Sequence, residues 1–196
     1  MVGFSYFIKR CEDICLSLII LLMLSPVMFF IAMMIKITSR GPVFYKQVRM
    51  TSGCKSFNML KFRSMPVTVE AETGPVWAKS TDQRATKIGG FLRKYSLDEL
   101  PQFLNVLKGD MSIVGPRPER PVFIEDFKHK IPRYMKKHMM KAGITGLAQI
   151  SGFRGNTDLS IRVEKDLEYI DNWTLWLDLK IIFITCFKVF SDKNAY

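Results

Sequence analysis

Histidine is nearly absent from this chain. There are two in 196 residues, His129 and His138, both set among lysines. That scarcity argues against Ser-His-Asp hydrolysis and against a histidine-rich metal site. The four cysteines, Cys11, Cys15, Cys54 and Cys186, make no paired framework, and no second cluster completes a zinc site. They read as free thiols of a reducing compartment. Acidic residues are also few, 18 against 29 lysines and arginines, leaving a net charge of +11. Such an excess calls for a polyanionic partner: nucleic acid, an anionic membrane surface or phosphate-rich substrates. No Gly-x-Gly-x-x-Gly fingerprint, P-loop, RNA-binding aromatic signature or zinc-finger spacing occurs. The charge is therefore assigned to phosphate substrates and lipid headgroups rather than to nucleic acid. The length suits one catalytic domain.

What the chain has is a long apolar run. From Ile14 to Ile35, 22 residues, there is no charge, enough for a helix to cross a bilayer. The run is too long for a signal peptide, and no small-residue cleavage site follows. Ser25-Pro26 falls near its centre, where proline removes a backbone hydrogen bond. Both flanks are basic, Lys9 and Arg10 before and Lys36, Arg40 and Lys46 after, so charge does not separate the two ends. On the residues alone, a Pro-kinked spanning helix leads. A helix bent at Ser25-Pro26 that returns to the same side is its rival.

Ser39-Arg40-Gly41-Pro42 reads as a break. Val43 to Arg49 and Lys55 to Arg63 then predict two short strands around Thr51-Ser52-Gly53, a hairpin. The two-residue period puts Phe57, Met59, Lys61 and Arg63 on one face. Lys87 to Lys94 has helical character interrupted by Gly89-Gly90, and Pro101 to Leu107 predicts a short helix opened by proline. Phe123 to Met139 is basic and amphipathic and divided by Pro132. It suits an anionic membrane surface or a protein-packed helix with a solvated basic face. Trp173 to Phe190 is aromatic and apolar. It reads equally as a headgroup-level helix or as one buried on the core.

The stretch most charged with chemistry is Arg93-Lys94-Tyr95-Ser96-Leu97-Asp98-Glu99-Leu100-Pro101-Gln102. Ser96 and Glu99 match a capping box, which by itself would only begin a helix; Pro101 offers a second register. In either, Asp98 and Glu99 sit beside a helix N-terminus, which favours the ionised carboxylate that a nucleophile must be. Neighbouring residues point in different directions, so two carboxylates with separate duties are expected rather than a shared-proton pair. Gly115-Pro116-Arg117-Pro118-Glu119 holds a single arginine between two prolines, restricted before any phosphate arrives. Alone it is a turn with a surface arginine. Gly143-Ile144-Thr145-Gly146-Leu147-Ala148-Gln149 and Gly152-Phe153-Arg154-Gly155 could let backbone approach a phosphate or sugar closely.

Together these stretches resemble the bacterial sugar transferases, the monotopic polyprenyl-phosphate hexose-1-phosphate transferases. The resemblance rests on an ordered set: Gly41-Pro42-Val43-Phe44, Lys61-Phe62-Arg63-Ser64-Met65, Ser96 to Gln102, Asn105 to Ser112, Gly115-Pro116-Arg117-Pro118, Gly143-Ile144-Thr145-Gly146 and Trp176-Leu177-Asp178-Leu179-Lys180. It covers nearly the whole chain. The fold it implies is α/β and mostly helical: a re-entrant, Pro-kinked membrane helix over 1–38 bent at Ser25 and Pro26, then a catalytic domain over 39–196 with a small β-hairpin and amphipathic interfacial helices. The implied location is the cytoplasmic face of the bacterial inner membrane.

The chemistry implied is transfer of a hexose-1-phosphate from a UDP-sugar to a polyprenyl phosphate, undecaprenyl phosphate, with release of UMP. Asp98 would be the nucleophile of a covalent phosphosugar intermediate and Glu99 its helper in metal or proton handling. Mg²⁺ is implied, with Asp98 its foremost ligand. Lys61, Arg93 and Arg117 would hold phosphates, and Arg63, Gln149 and Arg154 would lie near the substrate. Gly152 to Asp158 looks more like members that transfer glucose or galactose phosphate. The step would initiate synthesis of an exopolysaccharide, capsule, O-antigen or glycoprotein glycan. Membrane lipids and, as one option, a second copy of the chain in a homodimer complete the expected partners. The chain looks like the catalytic unit without the multi-span region of larger members. The rival is a non-catalytic basic scaffold for anionic lipids, which leaves the acid pair beside Pro-Arg-Pro unexplained. A CDP-linked donor has no matching motif.

Overall fold

The computed structural model describes residues 3–67, 74, 84–153 and 157–191. The first element, α1 (Phe4–Thr38), contains the whole uncharged run and is long and apolar enough to cross a membrane. Pro26 cannot donate to the carbonyl of Leu22; the Ser25 hydroxyl donates to that oxygen instead, at 2.9 Å. Both ends of α1 pack on the rest of the molecule, through Lys9, Asp13 and Ser17 near its start and Ile31 and Ile35 near its end. Between them Leu22, Met23, Phe29 and Phe30 are exposed. The break expected at Ser39–Pro42 is present, with Gly41 in the left-handed half of backbone space at φ 123°.

The expected hairpin follows as β1 (Phe44–Met50) and β2 (Ser56–Phe62), antiparallel and in register from Phe44↔Phe62 to Met50↔Ser56. Phe57, Met59 and Arg63 are buried and Lys61 is partly so, as the two-residue period requires. Helix α2 (Lys87–Lys94) runs through Gly89-Gly90 without the expected interruption. The Thr86 hydroxyl caps it, accepting from Gly89 N at 2.9 Å. Gly89 is there for proximity: a Cβ would stand 1.9 Å from the Ser64 carbonyl oxygen.

A single 3₁₀ turn, Leu97–Glu99, leads into α3 (Gln102–Lys108) through Pro101. The capping box does not form, because Ser96 lies at φ 54° and its side chain does not cap; a cap needs extended backbone. Next come β3 (Ser112–Val114), α4 (Pro121–Lys130), a 3₁₀ segment Tyr134–Met139, β4 (Gly143–Thr145), α5 (Leu147–Ile150), α6 (Leu159–Asp171) and α7 (Leu175–Ser191). Pro132 divides the basic segment as expected, with Arg133 at φ 58°. β3 and β4 form a parallel pair that the sequence did not announce, since three residues carry no readable period. Helix α7 packs on the core by one face, where Asp178 and Ile181 are buried, while Trp176, Phe183 and Phe187 are exposed.

Three apolar clusters hold these pieces. One joins β2, α3, β3, α6 and α7 around Met59, Val106, Met111 and Tyr169. A second sets α4 and the 3₁₀ segment on α6 around Ile124, Tyr134 and Val163. The third packs the end of α1 on β2 and α2 through Ile31, Ile35, Phe62 and Leu92. Among the described residues the molecule is thus mostly helical with two small sheets.

Candidate active site

Asp98 and Glu99 occupy the 3₁₀ turn just before α3, and both are buried. Facing them from the end of β2, the Lys61 ammonium lies 2.7 Å from Glu99 Oε1 and 3.9 Å from Asp98 Oδ2. One cation therefore serves both carboxylates, while the closer contact goes to Glu99. Burial pushes the Asp98 carboxyl above its ordinary value, and the Glu99 charge adds to this; Lys61 and Arg93 pull it back. Desolvation thus opposes the ionised state expected from the helix terminus alone, and Lys61 and Arg93 act against it.

The register of Lys61 against the acid pair is set by Asn105 on α3. Its amide nitrogen donates to Asn58 O at 2.8 Å, and its amide oxygen accepts from Leu60 N at 2.8 Å. The side chain thereby pairs with β2 as a neighbouring strand would. At the far end of α3, Arg10 of α1 donates to Val106 O at 2.6 Å and Leu107 O at 2.7 Å, satisfying terminal carbonyls. The helix that enters on the acid pair is therefore clamped to both the hairpin and the base of α1.

Arg117 comes from the turn after β3. Its guanidinium donates to Glu99 Oε1 at 3.4 Å, on the same oxygen that Lys61 contacts. The turn is held close to β4, with Gly115 N donating to Thr145 O and Gly143 N to Pro116 O, both at 2.9 Å. A Cβ on Gly143 would sit 2.2 Å from Gly115 N, which accounts for that glycine. Arg93, at the end of α2, is close enough to depress the Asp98 pKa. Lys61, Arg93, Arg117, Asp98 and Glu99 are thus gathered at one place.

The remaining residues fall differently. Arg63 is buried and donates to Ser39 O and Ser39 Oγ, each at 2.8 Å, and also to Arg40 O. Its guanidinium is engaged in closing the end of α1, and Gly41 leaves the space it fills. Gln149 is buried near Gly115, its amide oxygen 2.9 Å from where a Gly146 Cβ would stand; among the described residues neither of its amide atoms has a hydrogen-bond partner. Arg154 lies outside the described residues. No group of three or more metal-binding side chains occurs among the described residues. A two-carboxylate donor set fits Mg²⁺ nonetheless, because that ion uses one or two protein carboxylates and takes its other ligands from substrate phosphates and water.

Arg49 and Glu119 were not singled out by the sequence. Arg49 Nη1 donates to Pro118 O at 3.1 Å, and its pKa is lowered to about 10 by burial and by the Arg117 and Arg120 charges, against Glu119 and Glu99. Lys137, expected on a basic face turned to an anionic membrane surface or to solvent, is buried and 3.2 Å from Asp166. The only sequence signal for Glu119 was its place directly after Pro-Arg-Pro.

The sequence profile of the bacterial sugar transferases matches residues 4–192. A UDP-glucose:undecaprenyl-phosphate glucose-1-phosphate transferase of Klebsiella pneumoniae is 50% identical over 198 residues, covering 99% of this chain and 42% of the relative. A UDP-N-acetylgalactosamine-undecaprenyl-phosphate N-acetylgalactosaminephosphotransferase of Aeromonas hydrophila is 45% identical, over 96% and 45% of the two chains. An exopolysaccharide production protein of Rhizobium leguminosarum bv. phaseoli is 42% identical, over 91% and 92%. The chain spans less than half the length of the first two of these relatives.

Proposed function

The chain belongs to the bacterial sugar transferase family, and from that premise we propose that it transfers a hexose-1-phosphate from a UDP-sugar to polyprenyl phosphate, releasing UMP. The observation that carries this reading is the buried pair Asp98 and Glu99, with Lys61 and Arg117 both on Glu99 Oε1. Two cations already engaged by one carboxylate leave Asp98 the less constrained acid of the pair. An Asp98 oxygen attacks the sugar-bearing phosphorus, the bond from that phosphorus to the bridging oxygen breaks, and UMP departs with the electron pair. A phosphate oxygen of the polyprenyl acceptor then attacks the same phosphorus. It frees the Asp98 carboxylate and yields a polyprenyl diphosphosugar. Lys61, Arg93 and Arg117 supply the fixed positive charge that this transfer needs. Mg²⁺, held by Asp98 with Glu99 beside it, would neutralise diphosphate charge.

The relatives named for UDP-glucose and undecaprenyl phosphate support a glucose- or galactose-type donor and that acceptor here. The exopolysaccharide relative supports a role in starting a surface glycan. The packing of α1 supports the re-entrant form over the spanning one. Its two ends bury residues on one domain, with only the stretch from Leu18 to Phe30 between Ser17 and Ile31. At about 1.5 Å per residue those 13 positions reach roughly 20 Å, short of the ~30 Å hydrocarbon core. A straight span would also have to draw the domain into lipid. The catalytic domain then rests on the cytoplasmic face.

The test is purified full-length chain with Mg²⁺, polyprenyl phosphate and a panel of UDP-sugars, read by UMP release. Release with at least one donor is expected, as is its loss in a folded, membrane-bound Asp98→Asn variant. Wild-type turnover in that variant would remove Asp98 as nucleophile, and silence with every donor would remove the reading.

A further inference from the structure

Behind the turn that carries Arg117 lies a second buried charge cluster. Glu119 Oε1 is 3.1 Å from Arg162 Nη2 and 4.0 Å from Lys137 Nζ, and its Oε2 is 3.9 Å from Arg49 Nη1. Lys137 and Arg162 also share the cluster with Asp166, one helical turn beyond Arg162 on α6. Glu119 and Arg162 are almost wholly buried, at 3% and 2%. Burying ions is expensive, and in some proteins such groups serve to fix one geometry.

We propose that Glu119, held by Arg162 and Arg49, is a positioning residue that aims Arg117 at the acid pair; this rests on the transferase reading. Three contacts anchor the turn that carries Arg117. Arg49 Nη1 donates to Pro118 O at 3.1 Å, Met50 N donates to Glu119 O at 3.0 Å, and Arg162 holds the Glu119 carboxylate. From the turn so anchored Arg117 reaches Glu99 at 3.4 Å. Electrostatics acts in the same direction. Arg117 and Arg120 repel the Arg49 charge, and the Glu119 charge is the first to offset that repulsion, with Glu99 adding to it. Without the Glu119 charge the Arg49 and Arg117 guanidinium groups move apart, and Arg117 leaves Glu99 Oε1. Arg162 thus acts on the site from α6 through two side chains, touching no substrate.

The discriminating experiment is a double-mutant cycle in full-length protein in lipid nanodiscs. Glu119→Gln keeps the shape and removes the charge. It should lower kcat/KM for the donor about 100-fold, the scale of a misplaced site group, while the protein remains folded at the assay temperature. In an Arg117→Ala background the same change should cost less than about 3-fold, because the effect runs through Arg117. Arg162→Lys gives a second route should Glu119→Gln fold poorly, and it should show the same dependence on Arg117. A further readout is the Arg117 side-chain Nε–H resonance, assigned by its loss in Arg117→Lys, which should shift in Glu119→Gln. Losses that multiply, or a variant that loses only thermal stability with an unmoved Arg117 resonance, would overturn the proposal. If wild-type protein releases no UMP from any donor, the transferase reading fails instead, and the resonance still decides the positioning claim.

Discussion

The charge on Lys61 is the first influence that holds the buried Asp98 carboxyl down against burial. Replacing it should be felt in the pH profile before anything else. With Lys61→Met the acid limb of kcat/KM should move to higher pH, since a carboxylate that loses a nearby cation protonates more readily. Turnover at the optimum should fall about 100-fold, as for removal of one preorganised charge partner. An unmoved acid limb would place the titrating group elsewhere. His138 offers an independent check of the fold around Glu119. Burial and the Lys137 charge lower its pKa to about 4 from an ordinary 6.5. The unfolded chain then binds this proton first, so the stability His138 supplies is full above pH 6.5 and drains away as pH falls toward 4. Thermal melts of His138→Gln should show a shallower loss than wild type across that window; parallel curves would contradict the burial.

Among the elements, those with a long enough repeating pattern could be read in advance. The hairpin was legible because Phe57, Met59, Lys61 and Arg63 keep a two-residue period, and α1 because nothing charged interrupts Ile14 to Ile35. Helix α2 was misjudged at Gly89-Gly90, because the need for glycine there lies across space at Ser64 and not in the helix. Gly89→Ala should therefore destabilise by about 3 kcal/mol, an overpacking cost, despite alanine being the better helix former. A melt unchanged from wild type would deny the contact. In α1 the Ser25 hydroxyl and Pro26 act as a unit on Leu22. Pro26→Ala restores the missing donor and should let part of the population cross the bilayer, read by accessibility of a tag at Met1. A periplasmic tag in the wild-type chain would contradict the re-entrant form.

For the whole molecule, the first and last helices meet over one buried network. Lys9 of α1 lies 2.8 Å from Asp178 of α7, which also accepts from Tyr169 Oη at 2.7 Å and Trp173 Nε1 at 3.0 Å. Asp178→Ala strands several donors and should cost about 3–5 kcal/mol, measured by chemical denaturation in detergent; a loss under 1 kcal/mol would mark the network as incidental. Pairings this distant in sequence were not legible, and the same is true of Glu119 with Arg162 and Lys61 with Glu99. The acid pair, Arg93 and Arg117 were recognisable through their ordered motifs, while their mutual distances needed the fold. Arg63 was expected near the substrate from its motif, and its hydrogen bonds to Ser39 and Arg40, which close the end of α1, needed the fold. The central claim, that Asp98 bonds to phosphorus, is tested most directly by a UDP-sugar labelled in its sugar-bearing phosphate. Label should appear on wild-type protein when the lipid acceptor is withheld, leave it when polyprenyl phosphate is added, and never attach to Asp98→Asn. Product formed without label ever reaching the polypeptide would contradict it.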